Sequence, residues 1–186
     1  MLMMRTLVIV IVFSAVAEVF APVAFCRQSA GEVPSWKVFS NRAGWSIRYP
    51  AGWKIGSCRS CPDPTAPDVF VDFFPPADSG SDGWVMIAHL RDKPSGMSVD
   101  AWFEDLKRAA NLNPEIDEQR LMLNGLPALR VRYRNPYVGD METVYVISGS
   151  RTFKLEFSDD KPLRPMENMR NYPTYRRMLE TFTVTR

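Results

Sequence analysis

The sequence predicts an α+β fold, an antiparallel β-sheet flanked by helices, in a single domain that follows a signal peptide. Three observations predict it. The composition, with 46% hydrophobic and 12% aromatic residues in 186 positions, is that of one globular core. Several segments after position 36 alternate apolar and polar residues with the period of a half-buried strand, and others are β-branched and aromatic runs. Two segments instead repeat apolar residues at helical spacing.

The net charge argues against a nucleic-acid partner. The formal charge is +2, and removal of residues 1–26 leaves it unchanged because Arg5 and Glu18 cancel. Nucleic-acid modules carry a far stronger basic surface than this.

The N-terminal segment has the pattern of a signal peptide. Met1 to Arg5 carries a positive charge, and Leu7 to Ala17 is an apolar run of the right length. Extending that run to the length of a membrane span would place Glu18 and Pro22 inside it. We therefore expect a signal peptide at 1–26, a linker at 27–35 and an exported domain, periplasmic or secreted, at 36–186.

Two alternatives would keep the protein at a membrane. Cys26 could be acylated after cleavage as in lipoproteins, although the bulky Phe25 before it departs from the small-residue pattern. The leader could also be retained as an anchor. A membrane partner is expected only in these two cases.

Strand patterns come before the first predicted helix. Alternation over 45–49 predicts a strand, 50–52 a turn, and 53–55 a second short strand. Two β-branched and aromatic runs, 69–74 and 84–90, predict an antiparallel pair.

Two helices are predicted, one in the middle of the chain and one at its end. Ser98 is the expected N-cap of the first, which runs to Ala110 with an apolar stripe. The second spans 174–182, and its buried stripe would comprise Tyr175, Met178, Leu179 and Phe182.

Between these helices the pattern predicts an antiparallel meander, with turns at Asn124-Gly125, 136–140 and Gly149-Ser150. Its strands are 120–123, 128–134, 142–148 and 152–157. Alternation places Thr152, Lys154 and Glu156 opposite apolar residues, so one face of this part of the sheet is expected to meet solvent.

Three segments together resemble the Mog1/PsbP-like family. They are Tyr49 to Trp53 (YPAGW), Asn124 to Ala128 (NGLPA) and Tyr175 to Phe182, and the similarity spans most of 36–186. The resemblance, to a bacterial exported member, implies an α/β/α sandwich. It also implies an accessory or binding protein, as in photosystem-associated members, and it brings no catalytic residues.

Cys58 and Cys61 lie in a proline-rich loop, 56–67, and their spacing permits a disulfide, a redox dithiol or half of a zinc site. Pro62 follows where a redox motif would open a helix, and the only histidine, His89, supplies at most one further nitrogen ligand. Export supplies an oxidising compartment, so a structural disulfide is the favoured interpretation.

For the other residues that could catalyse a reaction or bind a metal, a structural role is the favoured interpretation. His89 stands in a strand without a nucleophile motif around it. Met166 and Met169 at helical spacing are typical of a core rather than of a copper(I) site. Five aspartates near the loop lack the spacing of an EF-hand and are interpreted as solvated: Asp63, Asp68, Asp72, Asp78 and Asp82.

Arg130, Arg132 and Arg134 form a row on one face of a predicted strand. Three cations could meet an acidic partner or an anionic lipid. The alternative is a solvated face balanced by Glu142 and Glu156 on neighbouring strands.

The leading hypothesis is a non-enzymatic exported accessory protein of the envelope that binds an unknown protein or small ligand, without a metal or other cofactor. The alternatives are a thiol-redox or metal-dependent enzyme built on Cys58 and Cys61, and a membrane-anchored interaction module.

Overall fold

Strands outnumber helices in the computed structural model of the chain. The residues that it describes are 35–57, 63–77, 83–110, 117–135, 139–158 and 166–185. The elements are β1 Trp36–Asn41, β2 Trp45–Pro50, β3 Lys54–Ser57, β4 Val71–Phe74, β5 Trp84–His89, α1 Val99–Ala109, β6 Asp117–Leu123, β7 Leu126–Asn135, β8 Gly139–Ser148, β9 Arg151–Ser158, a 3₁₀ turn Met166–Asn168, α2 Tyr172–Leu179 and β10 Thr183–Val184.

These strands form two antiparallel sheets. The larger has seven strands in the order β3-β4-β5-β9-β8-β7-β6, and the smaller has the order β1-β2-β10. The meander from β6 to β9 pairs in sequence order, whereas β5 pairs with β9, far along the chain.

The two faces of the larger sheet carry different clusters of buried residues. Face A, which bears Phe153, Leu155 and Phe157, belongs to a cluster that includes residues of α2 and of the smaller sheet. Tyr175 of α2 stacks on Phe157 with ring centroids 5.1 Å apart. This cluster is the larger of the two, so most of the core lies on face A.

Face B, which bears Leu129, Val131 and Tyr145, packs with α1. Ser98 begins this helix as its Oγ accepts a hydrogen bond from the Ala101 amide at 3.1 Å. The residues that α1 buries are Trp102, Phe103 and Leu106. The helix is thus fixed by a cap and an apolar stripe that the sequence displays.

The predicted α+β class, mostly antiparallel sheet with two helices, is confirmed. The terminal helix differs in its limits: it begins at Tyr172, with Pro173 in its first turn where the missing amide donor is tolerated, and it ends at Leu179. The residues after it turn and pair with β2 as β10. Pairing with β2 gives the backbone groups of Thr183 and Val184 hydrogen-bond partners.

The expectation of one solvent-facing side of the meander is wrong for Thr152 and Glu156, which are both buried. Thr152 Oγ1 accepts a hydrogen bond from Trp102 Nε1 at 2.8 Å. Glu156 lies against Thr143 and Lys154. Helix α1 and these polar partners cover Thr152 and Glu156, which alternation alone assigned to a solvent-facing side.

Candidate binding site

An open cavity of about 450 Å³ lies near the hairpin end of β7 and β8. Two of the three predicted arginines, Arg132 and Arg134, line it, whereas Arg130 is half-buried and is not among its lining residues. The described lining is completed by Asp117, Tyr133, Asp140, Met141 and Met166. We call this space the hairpin cavity.

Strand register pairs each of these arginines with a carboxylate. Arg132 stands opposite Glu142 and Arg134 opposite Asp140 on the neighbouring strand. Arg134 holds Asp140 with two hydrogen bonds, from Nε to Oδ1 at 2.6 Å and from Nη2 to Oδ2 at 3.2 Å. This two-point geometry suits a guanidinium and a carboxylate, and it leaves an exposed ion pair at the edge of the cavity.

The Arg132 pair is buried on its acidic side. Glu142 has no solvent exposure, and its Oε2 accepts hydrogen bonds from Arg132 Nε at 2.7 Å and from the Tyr172 hydroxyl at 2.9 Å. Arg132 Nη2 also donates to the Tyr172 hydroxyl. Although burial opposes the charged form of Arg132, the hydrogen bond and the attraction of Glu142 outweigh it and raise the pKa of Arg132.

The other carboxylate oxygen of Glu142 is less well satisfied. Oε1 is buried without a hydrogen bond to any described residue, and Arg176 Nη1 lies 3.9 Å away. The Tyr175 hydroxyl and the Asn171 side-chain amide, which lie around the start of α2, are likewise buried without a partner in the described part of the chain. Burial, reinforced by the negative charge of Glu142, raises the pKa of Tyr175 well above its ordinary value.

The cavity is therefore lined by two arginines that are each paired with a carboxylate, by further polar side chains and by two methionines. It does not present a strip of free cations. Such a surface can recognise a partner that brings both donors and acceptors.

The structure describes three of the five aspartates near the proline-rich loop: Asp63, Asp68 and Asp72. Asp63 accepts hydrogen bonds from Thr65 and pairs with Arg42, and Asp68 is exposed. Asp78 and Asp82 lie outside the described residues. Within the described ranges, no group of three or more histidine, cysteine or acidic side chains is placed to hold a metal ion.

Asp72 is a half-buried aspartate in β4. It lies on face B, in one row with Met86 and Glu156 on the next two strands. Burial, together with the negative charge of Glu156, raises the pKa of Asp72 from 3.8 to about 6. The folded protein therefore holds this proton more tightly than the unfolded chain does.

Replacement of Asp72 by asparagine should flatten the dependence of stability on pH. Because the folded-state pKa is raised, wild-type stability falls as pH rises from about 4 to about 6. The raised pKa of Asp72 corresponds to a change in the free energy of unfolding of at most about 3 kcal/mol. Solvent screening of this half-buried group reduces that change to about 1 kcal/mol. Urea unfolding at pH 4 and pH 7.5 measures the effect, with the exposed Asp68→Asn as control. Parallel pH profiles for Asp72→Asn and wild type would contradict it.

His89 and the two methionines take part in packing. The His89 ring lies 5.3 Å from that of Phe153, and its Nε2 is 3.2 Å from Asp92 Oδ1. Met166 and Met169 are buried in the face A cluster.

The predicted disulfide between Cys58 and Cys61 lies outside the described residues, as do Cys26 and the signal peptide. Within the described ranges, no helix is long and apolar enough to cross a membrane.

No protein-family model and no curated protein matches the chain. Among solved structures, it is similar to cyanobacterial PsbP (CyanoP) from Synechocystis sp. PCC 6803, with a TM-score of 0.54 and 13% identity over 89% of this chain and 100% of that one. It is also similar to a protein from Bacteroides thetaiotaomicron VPI-5482, with a TM-score of 0.53 and 14% identity over 81% of this chain. The chain spans about half, 48%, of the Bacteroides protein. The likeness is one of fold: this chain has a PsbP-like α+β fold, and the Mog1 part of the resemblance stays a prediction.

Proposed function

We propose that the protein is a non-enzymatic accessory protein of the cell envelope, exported by its leader, and that the hairpin cavity binds its partner or ligand. The observation that carries the proposal is the ion pair between the exposed Arg134 and Asp140 at the edge of an open cavity that is lined mostly by polar and charged side chains. The PsbP-like fold supports an accessory role, and the α/β/α arrangement implied by the resemblance belongs to the same proposal.

The chemistry of the cavity favours recognition over catalysis. Its two guanidinium groups are engaged by Glu142 and Asp140, so neither is available as a lone cation at a reaction centre. Catalytic groups usually need a protonation state poised near the working pH, whereas an arginine stays charged throughout. Paired surface charges instead fix the register of a partner and steer its approach.

The experiment is capture by the tagged full-length chain from a native envelope extract, comparing wild type with Arg134→Glu. Reversal of this charge places two negative groups together at the edge of the cavity and should lower retention of a specific partner about tenfold. Arg42→Glu is the matched control: Arg42 also pairs with an aspartate, Asp63, and its side chain is 62% exposed, as is that of Arg134.

Three outcomes contradict the proposal. Equal retention by Arg134→Glu and wild type would show that the hairpin cavity does not bind the partner. An equal loss of retention in Arg42→Glu would show that the effect comes from general surface charge. Recovery of the chain from the cytoplasmic fraction alone, with its leader still attached, would overturn export.

A further inference from the structure

A second, smaller cavity lies where β1 and β2 meet the end of α2. It has a volume of about 250 Å³ and is lined by Trp36, Arg48, Arg177, Glu180 and Thr181. It shares no described lining residue with the hairpin cavity. We call it the Trp36 cleft.

The cleft is built from distant parts of the chain that are fixed against one another. The Arg48 amide donates to Thr181 Oγ1 at 2.9 Å, and that hydroxyl donates to the Met178 carbonyl at 2.8 Å. These bonds join β2 to the end of α2. The Arg177 guanidinium lies over the Trp36 ring, 5.6 Å from its centroid, which holds this cation in place.

The two arginines of the cleft differ from most others in the structure. Seven arginines form ion pairs with carboxylates of the described ranges: Arg42, Arg91, Arg108, Arg120, Arg132, Arg134 and Arg176. Arg151 instead donates to the carbonyls of Ala43 and Thr185.

Arg48 and Arg177 have no carboxylate partner within the described part of the chain. Glu180, the acidic residue of the lining, forms an ion pair with neither of them there. Arg177 stands in the last turn of α2, where it complements the helix dipole, and its guanidinium has no hydrogen-bond partner among the described residues. Two guanidinium groups whose donors have no partner among the described residues thus line one small cleft.

We propose that the Trp36 cleft binds a small oxyanion, a phosphate or carboxylate group, between Arg48 and Arg177. A guanidinium presents its donors in a planar fork that matches the oxygens of either group. The volume is below the range of about 300 to 1,000 Å³ typical of drug-sized ligands, which fits a single anionic group. Because Trp36 already orders Arg177, less conformational freedom is lost when the anion binds.

The test is a titration of the full chain with inorganic phosphate and, separately, with succinate, at pH 7 and constant ionic strength. Resonances of the arginine Nε–H groups report binding, and those of Arg48 and Arg177 are assigned from Arg48→Gln and Arg177→Gln. We expect saturable shifts at both groups and about tenfold weaker binding in each variant. Arg42→Gln, which removes an arginine already paired with Asp63, should bind as wild type does.

Two further variants separate charge from folding. Arg48→Lys and Arg177→Lys keep the positive charge and should retain part of the affinity that the glutamine variants lose. Binding of phosphate alone, of succinate alone or of both supports the oxyanion site and identifies its preferred group. Absence of saturable shifts, or equal affinity in wild type and Arg48→Gln/Arg177→Gln, overturns it. Neither result depends on the hairpin cavity.

Discussion

Truncation of Arg132 to alanine is expected to lower the free energy of unfolding by about 3 kcal/mol, because it leaves the carboxylate of Glu142 buried without its main counter-charge. Glu142 has no exposed surface, and Arg132 supplies its shortest hydrogen bond, at 2.7 Å. Tyr172 and the more distant Arg176 would remain, so the expected loss lies at the lower end of that for broken buried ion pairs. Urea unfolding measured through tryptophan fluorescence gives the value.

The neighbouring Arg134→Ala is the matched control for this prediction. Its partner Asp140 is paired at the surface, where such pairs contribute about 0.2 to 1 kcal/mol. The double variant Arg132→Met/Glu142→Leu removes both charges and should regain most of the loss. A loss in Arg132→Ala no larger than in Arg134→Ala would show that Glu142 is not held by this pair.

The regular elements whose signals are local could be predicted from the sequence. Ser98 and the apolar stripe after it fix α1 to within a residue at each end. Asn124 and Gly125 both adopt positive φ, 50° and 80°, as a two-residue hairpin turn requires. In each case the residues that determine the conformation are adjacent in sequence.

The smaller sheet could not be predicted because its pairing is not local. β10 has two residues, Thr183 and Val184, and pairs with Trp45 and Ser46 near the other end of the domain. A strand of that length has no periodicity. The predicted helix over 174–182 therefore included Thr181 and Phe182, which the structure places after the end of α2.

The candidate sites likewise have one part that local patterns predict and one part that depends on distant contacts. Alternation predicted that Arg130, Arg132 and Arg134 share a face, but their different environments follow from the partners that register and α2 supply. Glu156, suggested as a balancing charge for this row, is on the other face and pairs with Lys154. In the Trp36 cleft, Arg48 and Arg177 come together only through tertiary packing, and no motif around either residue marks it.

Phe182 connects the two sheets, and its truncation to alanine is expected to cost about 3 to 5 kcal/mol. The side chain has no exposed surface, and its ring lies 6.1 Å from that of Trp45 in the smaller sheet and 5.8 Å from that of Phe153 in the larger one. The removed ring leaves a cavity between them, and the loss of packing adds to the loss of buried apolar area. Phe70→Ala is the control because Phe70 is 39% exposed, and we expect a loss of about 1 kcal/mol or less.

The position of Phe182 predicts which strands its truncation will destabilise most. Because β10 follows Phe182 directly and pairs with β2, amide hydrogen exchange should accelerate more in β1, β2 and β10 than in β7 and β8. Uniform acceleration across both sheets, or a stability loss equal to that of Phe70→Ala, would contradict the role of Phe182 as the connection. Loosening of the smaller sheet also separates Trp36 and Arg48 from Arg177 on α2. Oxyanion affinity in Phe182→Ala should therefore fall even though the cleft residues are unchanged.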